Sequence, residues 1–126
     1  MTNRGTLFIA DTYVNEDPTA QELADIAWMS VQEVQRFGLP PKVAFLSHSD
    51  FGSYDSASAQ KMRRATEILV NDHPEIEADG EMHGDTALSA EIRRQVFPNS
   101  TLTGQANLLI MPTLDAANIA FNLLKT

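Results

Sequence analysis

Apolar residues fall in two rhythms along this chain, and the rhythms alternate. Thr6-Leu7-Phe8-Ile9-Ala10 is a short, nearly all-apolar run, as expected of a strand buried on both faces. Thr19-Ala20-Gln21-Glu22 then has the pattern of a capping box, in which hydroxyl and carboxylate each satisfy a free backbone N–H. Leu23, Ile26, Ala27, Val31, Val34 and Phe37 follow at helical spacing. Gly38 is placed to end that helix in a left-handed conformation, and Pro40-Pro41 prevents its resumption.

Lys42 to Ser47 predicts a second strand, and His48 to Asp55 a polar loop containing Gly52. A helix is predicted from about Ser56 to Asn71, with Ala59, Met62, Ala65, Leu69 and Ile68 inward and Pro74 closing it. A weaker strand covers about Ile76 to Met82, interrupted by Gly80, with Asp79-Gly80 read as a turn. One helix from about Ala87 to Val96, a strand from Ala106 to Met111 and a helix from about Leu114 to Leu124 complete the order. The βαβαβαβα sequence of elements predicts a three-layer α/β domain with a largely parallel sheet. The strand near Gly80 leaves a mixed sheet open, as an antiparallel edge.

At 126 residues the chain is expected to form one domain, with 43% hydrophobic content ordinary for a globular protein. No apolar run reaches the roughly 18 residues of a membrane helix, and the first residues lack the features of a signal peptide. The absence of cysteine removes disulfides and thiolate chemistry and is compatible with a cytoplasmic location. A formal net charge of −8 disfavours a nucleic-acid partner. It says little against an anionic small molecule, which a local basic or helix-terminus pocket can hold.

Open α/β sheets place ligands just past the carboxyl ends of their strands. Three segments occupy that position: Asp11-Thr12, the Ser47–Ser53 loop, and the start of the last helix with Asp115 and Asn118. Ser47, Ser49, Gly52 and Ser53 offer hydroxyls and close backbone N–H groups to an anion. The same residues also suit a plain turn, and the pattern does not separate the two readings. Ser47-His48-Ser49-Asp50 contains the letters of a hydrolase triad, but sequence neighbours cannot adopt triad geometry, and no Gly-x-Ser-x-Gly elbow is present. Glu81, His83 and Asp85 alternate, so on a strand they would share one face and offer oxygen-rich ligands to a divalent cation. They match no defined metal motif, and Asp85 is equally a natural N-cap, so no metal site is assigned. Trp28, Met29 and Met62 are expected in the core or at a subunit interface. No Gly-x-Gly-x-x-Gly or P-loop pattern supports a dinucleotide or ATP site.

Leu7–Thr12 with Val14-Asn15, Pro18–Ala24, Val43–Ser49 with Gly52-Ser53, Asp79–Met82, and Ala106-Asn107 through Ala120 stand in a fixed order across nearly the whole chain. That order resembles the phosphate acetyl/butyryltransferase family. Gly80–His83, Phe97-Pro98-Asn99-Ser100 and Leu114–Leu124 look most like the phosphotransacetylase-like C-terminal region of large bacterial NADP-dependent malic enzymes. The resemblance implies one lobe of the two-lobed isocitrate/isopropylmalate-dehydrogenase-like architecture, from a longer chain. It implies one wall of a CoA and phosphate cleft and a homo-oligomeric assembly, beginning with a dimer. It also implies a regulatory role responsive to acetyl-CoA, with NADP and a divalent metal held in the malic enzyme part of the parent rather than here.

The active transferases carry a Ser-Arg-Gly motif and a catalytic Asp downstream of the stretch seen here, and arginines from the other lobe. They often have Cys where this chain has Thr12 and Arg in the position of Thr126. The resemblance therefore transfers no catalytic residue. It marks Asp11, Ser47, Ser49, Gly52, Ser53 and Asn118 as cleft-facing candidates. Membership of an active phosphate acetyltransferase is the alternative reading, and a scaffold that only dimerises is a third.

Overall fold

The computed structural model describes residues 6–10 and 16–125. Strands β1 (Phe8–Ile9), β2 (Lys42–Leu46), β3 (Glu77–Met82) and β4 (Leu108–Ile110) form one sheet in the order β1-β4-β2-β3. All three pairings among the described residues are parallel, β3 at its edge included, so the sheet is not mixed. β1 and β4 are shorter than the apolar runs predicted. Ala106, for example, spends its N–H on Ala87 O rather than on the ladder.

Helices α1 (Ala20–Arg36) and α2 (Ala57–Asp72) pack together on one face. Their Leu23, Ala27, Val31, Val34, Met62, Ala65 and Leu69 meet Val43, Phe45, Leu108 and Ile110 from the sheet. The alternate positions Ala44, Leu46, Leu109 and Met111 face the other way. There α3 (Gly84–Leu88), α5 (Leu114–Leu124) and the segment around Leu102 and Ala106 cover them. The period-2 alternation of buried strands thus builds two cores, one on each side of a three-layer domain.

The capping box forms as the sequence predicts: Thr19 Oγ1 accepts from Glu22 N at 3.1 Å and Glu22 Oε1 accepts from Thr19 N at 2.9 Å. Gly38 follows α1 at φ +78°. Phe37, predicted in the buried stripe, is the C-cap and 69% exposed, tilted against Phe8 at 5.4 Å. Trp28 is half-buried and stacks on His73 at 3.5 Å, Met62 is in the core, and Met29 is exposed.

Two predictions fail around Gly80 and Ser89. Asp79-Gly80 is not a turn but lies inside β3, where the register against β2 shifts between Phe45 and Leu46. A Cβ on Gly80 would stand 2.8 Å from both Phe45 Cβ and Phe45 O, so the glycine permits a backbone approach closed to other residues. The Gly80–Glu81 peptide is cis. The shift reverses the parity of the strand: Ala78 faces the α1–α2 core, whereas Met82 faces the opposite core. The single helix predicted over 87–96 is two helices, α3 and α4 (Ala90–Val96). Ser89 separates them with extended backbone, and its Oγ accepts from Ile92 N at 3.2 Å, the competing hydrogen bond that makes serine a cap.

Candidate functional site

β1 and β4 are sheet neighbours, and the helices that follow them in the chain, α1 and α5, cover opposite faces of the sheet. Such a divergence opens the crevice at the carboxyl ends of a parallel sheet. Asp11, the first predicted site residue, lies outside the described residues, as does Thr12. Beyond them the two departing segments are tied together. Leu114 N donates to Glu16 O at 3.0 Å, and Lys61 Nζ donates to Pro112 O at 2.7 Å and Asp17 Oδ1 at 2.8 Å. The Lys61 hydrogen bond and charge hold the Asp17 carboxyl below its ordinary range. Thr113, not Asp115, caps α5, its Oγ1 accepting from Ala116 N at 3.2 Å. Asp115 is exposed. Asn118 is half-buried one turn along, its Oδ1 accepting from Asn122 Nδ2 at 2.9 Å.

The loop after β2, residues 47–56, gathers Ser47, Ser49, Gly52 and Ser53. Its polar groups are turned largely upon one another. Ser47 Oγ accepts from Ser49 N at 3.1 Å, and Ser53 Oγ accepts from Asp50 N at 2.9 Å. Ser49 is 0% exposed, and its hydroxyl both accepts from Tyr54 N at 3.0 Å and donates to Tyr54 O at 3.2 Å. Ser49 therefore shapes the loop from within. Gly52 stands at φ +90° and, with Ser53, is exposed at the loop tip. Glycine is needed there because φ > 0 is costly with a side chain.

The predicted acidic cluster does not share a face, because β3 ends at Met82 and its parity has already reversed. Glu81, 0% exposed, turns towards α2 and accepts from Arg63, with Nε–Oε1 at 2.7 Å and Nη2–Oε2 at 3.0 Å. Burial alone would raise this carboxyl. The Arg63 hydrogen bonds, a Ser49 contact and the Arg63 charge outweigh it and leave the group below the ordinary glutamate range. Hydrogen bonding to Glu81 in turn raises the Arg63 guanidinium, which also reaches Asp55 Oδ1 at 3.5 Å. His83 belongs to a separate clamp. Its N and Nδ1 meet Asp50 Oδ1 and Oδ2 at 2.8 and 2.9 Å, and its Nε2 lies 2.8 Å from His48 O. Asp85 is not the N-cap of α3 but sits within its first turn, bonded to Thr86 N.

Two features thus escaped the sequence. The imidazole held by a carboxylate is His83, whereas the one near a serine is His48, whose Nε2 lies 3.3 Å from Ser56 Oγ. This division gives no triad. Arg63 was not anticipated as the partner of Glu81. Its place between the inward residues Met62 and Thr66 was the available signal. Among the described residues no three metal-ligating side chains converge, and no helix is long and apolar enough to cross a membrane.

A parallel three-layer sheet with loops tied at its carboxyl ends is the class of architecture that holds ligands at strand termini. Residues 1–126 match the family described as phosphate acetyl/butaryl transferase, and the chain belongs to that family. It is 54% identical over 121 residues to an NADP-dependent malic enzyme of Escherichia coli, covering 96% of this chain and 16% of that protein. It is 41% identical over 122 residues to a phosphate acetyltransferase of Thermoanaerobacterium thermosaccharolyticum, covering 37% of that protein. A phosphotransacetylase crystal structure from Streptococcus pyogenes superimposes with a TM-score of 0.92 at 36% identity, over 99% of this chain and 38% of that one. The chain therefore spans about a sixth of the malic enzyme and somewhat over a third of the two transferases.

Proposed function

We propose that this chain is a phosphotransacetylase-like regulatory and oligomerisation domain of an NADP-dependent malic enzyme. In this reading it helps bind acetyl-CoA at the carboxyl ends of its sheet, as one lobe of an isocitrate/isopropylmalate-dehydrogenase-like pair. Malate decarboxylation, NADP and the divalent metal belong to another part of a cytoplasmic parent protein. The observation that carries the reading is the gradient of likeness: 54% identity to the E. coli malic enzyme against 41% to the T. thermosaccharolyticum transferase.

The geometry supports binding more than transformation. Ser47 and Ser53 stand at the loop rim with hydroxyls that keep further hydrogen-bonding capacity, and Gly52 brings backbone close to any ligand there. Arg63 reaches that rim but is held by two carboxylates, so it is a weaker anion partner than a free arginine. Asn118 stands one turn into α5, on the β4 side of the candidate crevice, and the reading assigns it and Asp11 to the same ligand.

The test uses the parent enzyme. Acetyl-CoA is expected to inhibit malate decarboxylation, and deletion of this region to abolish the inhibition; inhibition that survives deletion refutes the reading. Calorimetry separates binding from scaffolding: no heat with acetyl-CoA or CoA would leave a domain that only assembles subunits. The likeness to the two transferases keeps one alternative, part of an active phosphate acetyltransferase. Robust acetyl phosphate formation from acetyl-CoA and phosphate by the purified chain would establish it.

A further inference from the structure

At the amino-terminal end of the sheet, opposite the candidate crevice, a second arginine is buried under different terms. Arg93 is 3% exposed. Its Nη1 donates to Thr86 O at 3.0 Å and Ala87 O at 3.3 Å, and its Nη2 donates to Gly104 O. All three acceptors are neutral carbonyls, and no ion pair joins Arg93 to a carboxylate among the described residues. Asp79 and Glu77 act on it only through space. Asp79 Oδ2 is occupied by Ser100 Oγ and Thr101 N, and Glu77 Oε1 by Thr103 N and Oγ1. Burial, with the neighbouring Arg94 charge adding to it, lowers the Arg93 guanidinium from its ordinary value despite Asp79 and Glu77. Buried cations are normally paired.

The open side of this cation is a pocket of about 310 Å³ that Arg93 lines. Arg93 Nε makes no hydrogen bond among the described residues, yet no buried side-chain polar atom is left without a partner. Nε is therefore not fully enclosed by protein, and Arg93 lines the pocket. Arg94, exposed, stands beside it on the pocket wall, and Phe97, Pro98 and Leu102 supply an apolar wall. Phe97 is held in place by stacking on Phe51 at 4.5 Å. The volume lies at the lower end of the range of small-molecule sites. Lys42 adds a third cation nearby, its Nζ donating to Thr103 O at 2.8 Å.

We propose that this pocket binds a small organic oxyanion, its carboxylate or phosphate head on Arg93 and Arg94 and its apolar body against Phe97, Pro98 and Leu102. The missing counter-charge of a buried guanidinium is supplied by the ligand: with both Nη groups of Arg93 on carbonyls, Arg93 offers charge and its Nε–H, and the exposed planar fork of Arg94 suits either oxyanion. The cationic end of the pocket lies towards the amino-terminal ends of β2 and β3, while its Phe97 wall touches Phe51 of the loop after β2; the proposal does not rest on the reading given for the crevice.

The test is an NMR titration of the ¹⁵N-labelled chain with phenyl phosphate, with benzoate and with benzyl alcohol. At least one anion is expected to give saturable shifts centred on Arg93, Arg94, Thr103 and Gly104, and the tighter of the two identifies the head group. Benzyl alcohol, with the same ring and no charge, is expected to bind about tenfold more weakly or less. Arg94→Glu, an exposed change that leaves the fold intact, is expected to weaken the anion about tenfold, and Arg94→Gln to weaken it less. Absence of saturable shifts with both anions overturns the proposal. So does equal binding of the alcohol, or an affinity unmoved by Arg94→Glu.

Discussion

Two arginines reach inward from the helices of this domain, and their charges are met in opposite ways. Arg63 of α2 meets the buried Glu81 carboxylate through two hydrogen bonds, at 2.7 and 3.0 Å, and is itself half-exposed. Arg93 of α4 is more deeply buried and meets only carbonyl oxygens. In the first case the charge that must be compensated is the carboxylate on the edge strand, and the arginine serves it. In the second the cation is the buried partner, and the protein provides dipoles but no counter-charge. An ion pair fixes a strand end in place; a hydrogen-bonded cation without a counter-charge beside a pocket leaves binding energy for something else.

The comparison breaks most visibly at Arg63. Arg63→Met leaves Glu81 charged and dry, and is expected to lower Tm by roughly 10 °C or more. Replacing Glu81 as well, by Leu, is expected to recover most of the loss, since an apolar pair of similar volume is often as stable as a buried ion pair. A double variant as unstable as the single would show that the pair's geometry, and not its charge balance, matters.

Arg93→Met is expected to cost less, about 1–3 kcal/mol in urea denaturation. It leaves Thr86 O and Gly104 O without this donor but also removes the burial of a cation, and Ala87 O keeps its bond from Ala106 N. A larger loss than that of Arg63→Met would reverse the proposed contrast.

Ser49→Ala removes both hydrogen bonds to the Tyr54 backbone, and a destabilisation of about 1 kcal/mol is expected, with loss of amide exchange protection at Tyr54. An unchanged exchange rate would mean that the loop after β2 is held without the Ser49–Tyr54 bonds, by the Asp50–His83 clamp and the Phe51 N–Glu81 O bond.

The pH dependence sharpens the same comparison. The Glu81 carboxyl lies below its ordinary range in the folded chain, so its contribution is complete above the unfolded value and is lost as pH falls through the folded one. The stability gap between the native chain and Glu81→Gln is therefore expected to narrow on acidification below the ordinary glutamate range. It should stay constant from there to neutrality. A gap that instead narrowed towards alkaline pH would contradict the assignment of Arg63 as the dominant partner.

The alternation of strands and helices, save for the split of the helix predicted over 87–96, the α1 capping box, the left-handed Gly38 and the two-faced strands β2 and β4 were legible in the sequence, because each follows from local periodicity and backbone preference. So was the clustering of Ser47, Ser49, Gly52 and Ser53, which are neighbours in one loop. Local signals misled where a residue serves a distant neighbour. Gly80 reads as a turn glycine, and only its close approach to Phe45 across β2 makes it a strand residue. Asp85 reads as a cap, but the approach of His83 to Asp50 sets where α3 begins.

The sequence by itself determined an alternating α/β chain, its two apolar faces and its family. Only the tertiary structure decided which charges meet. A register shift of one residue in β3 turned Glu81 from a would-be metal ligand into the partner of Arg63, 18 positions away. The docking of α3 and of the 97–104 segment likewise placed the carbonyls of Thr86, Ala87 and Gly104, and no carboxylate, against Arg93. Periodicity specifies which face a side chain takes within its own element. Which group waits on the opposite face depends on how elements dock, and a single chain's pattern does not contain that distance.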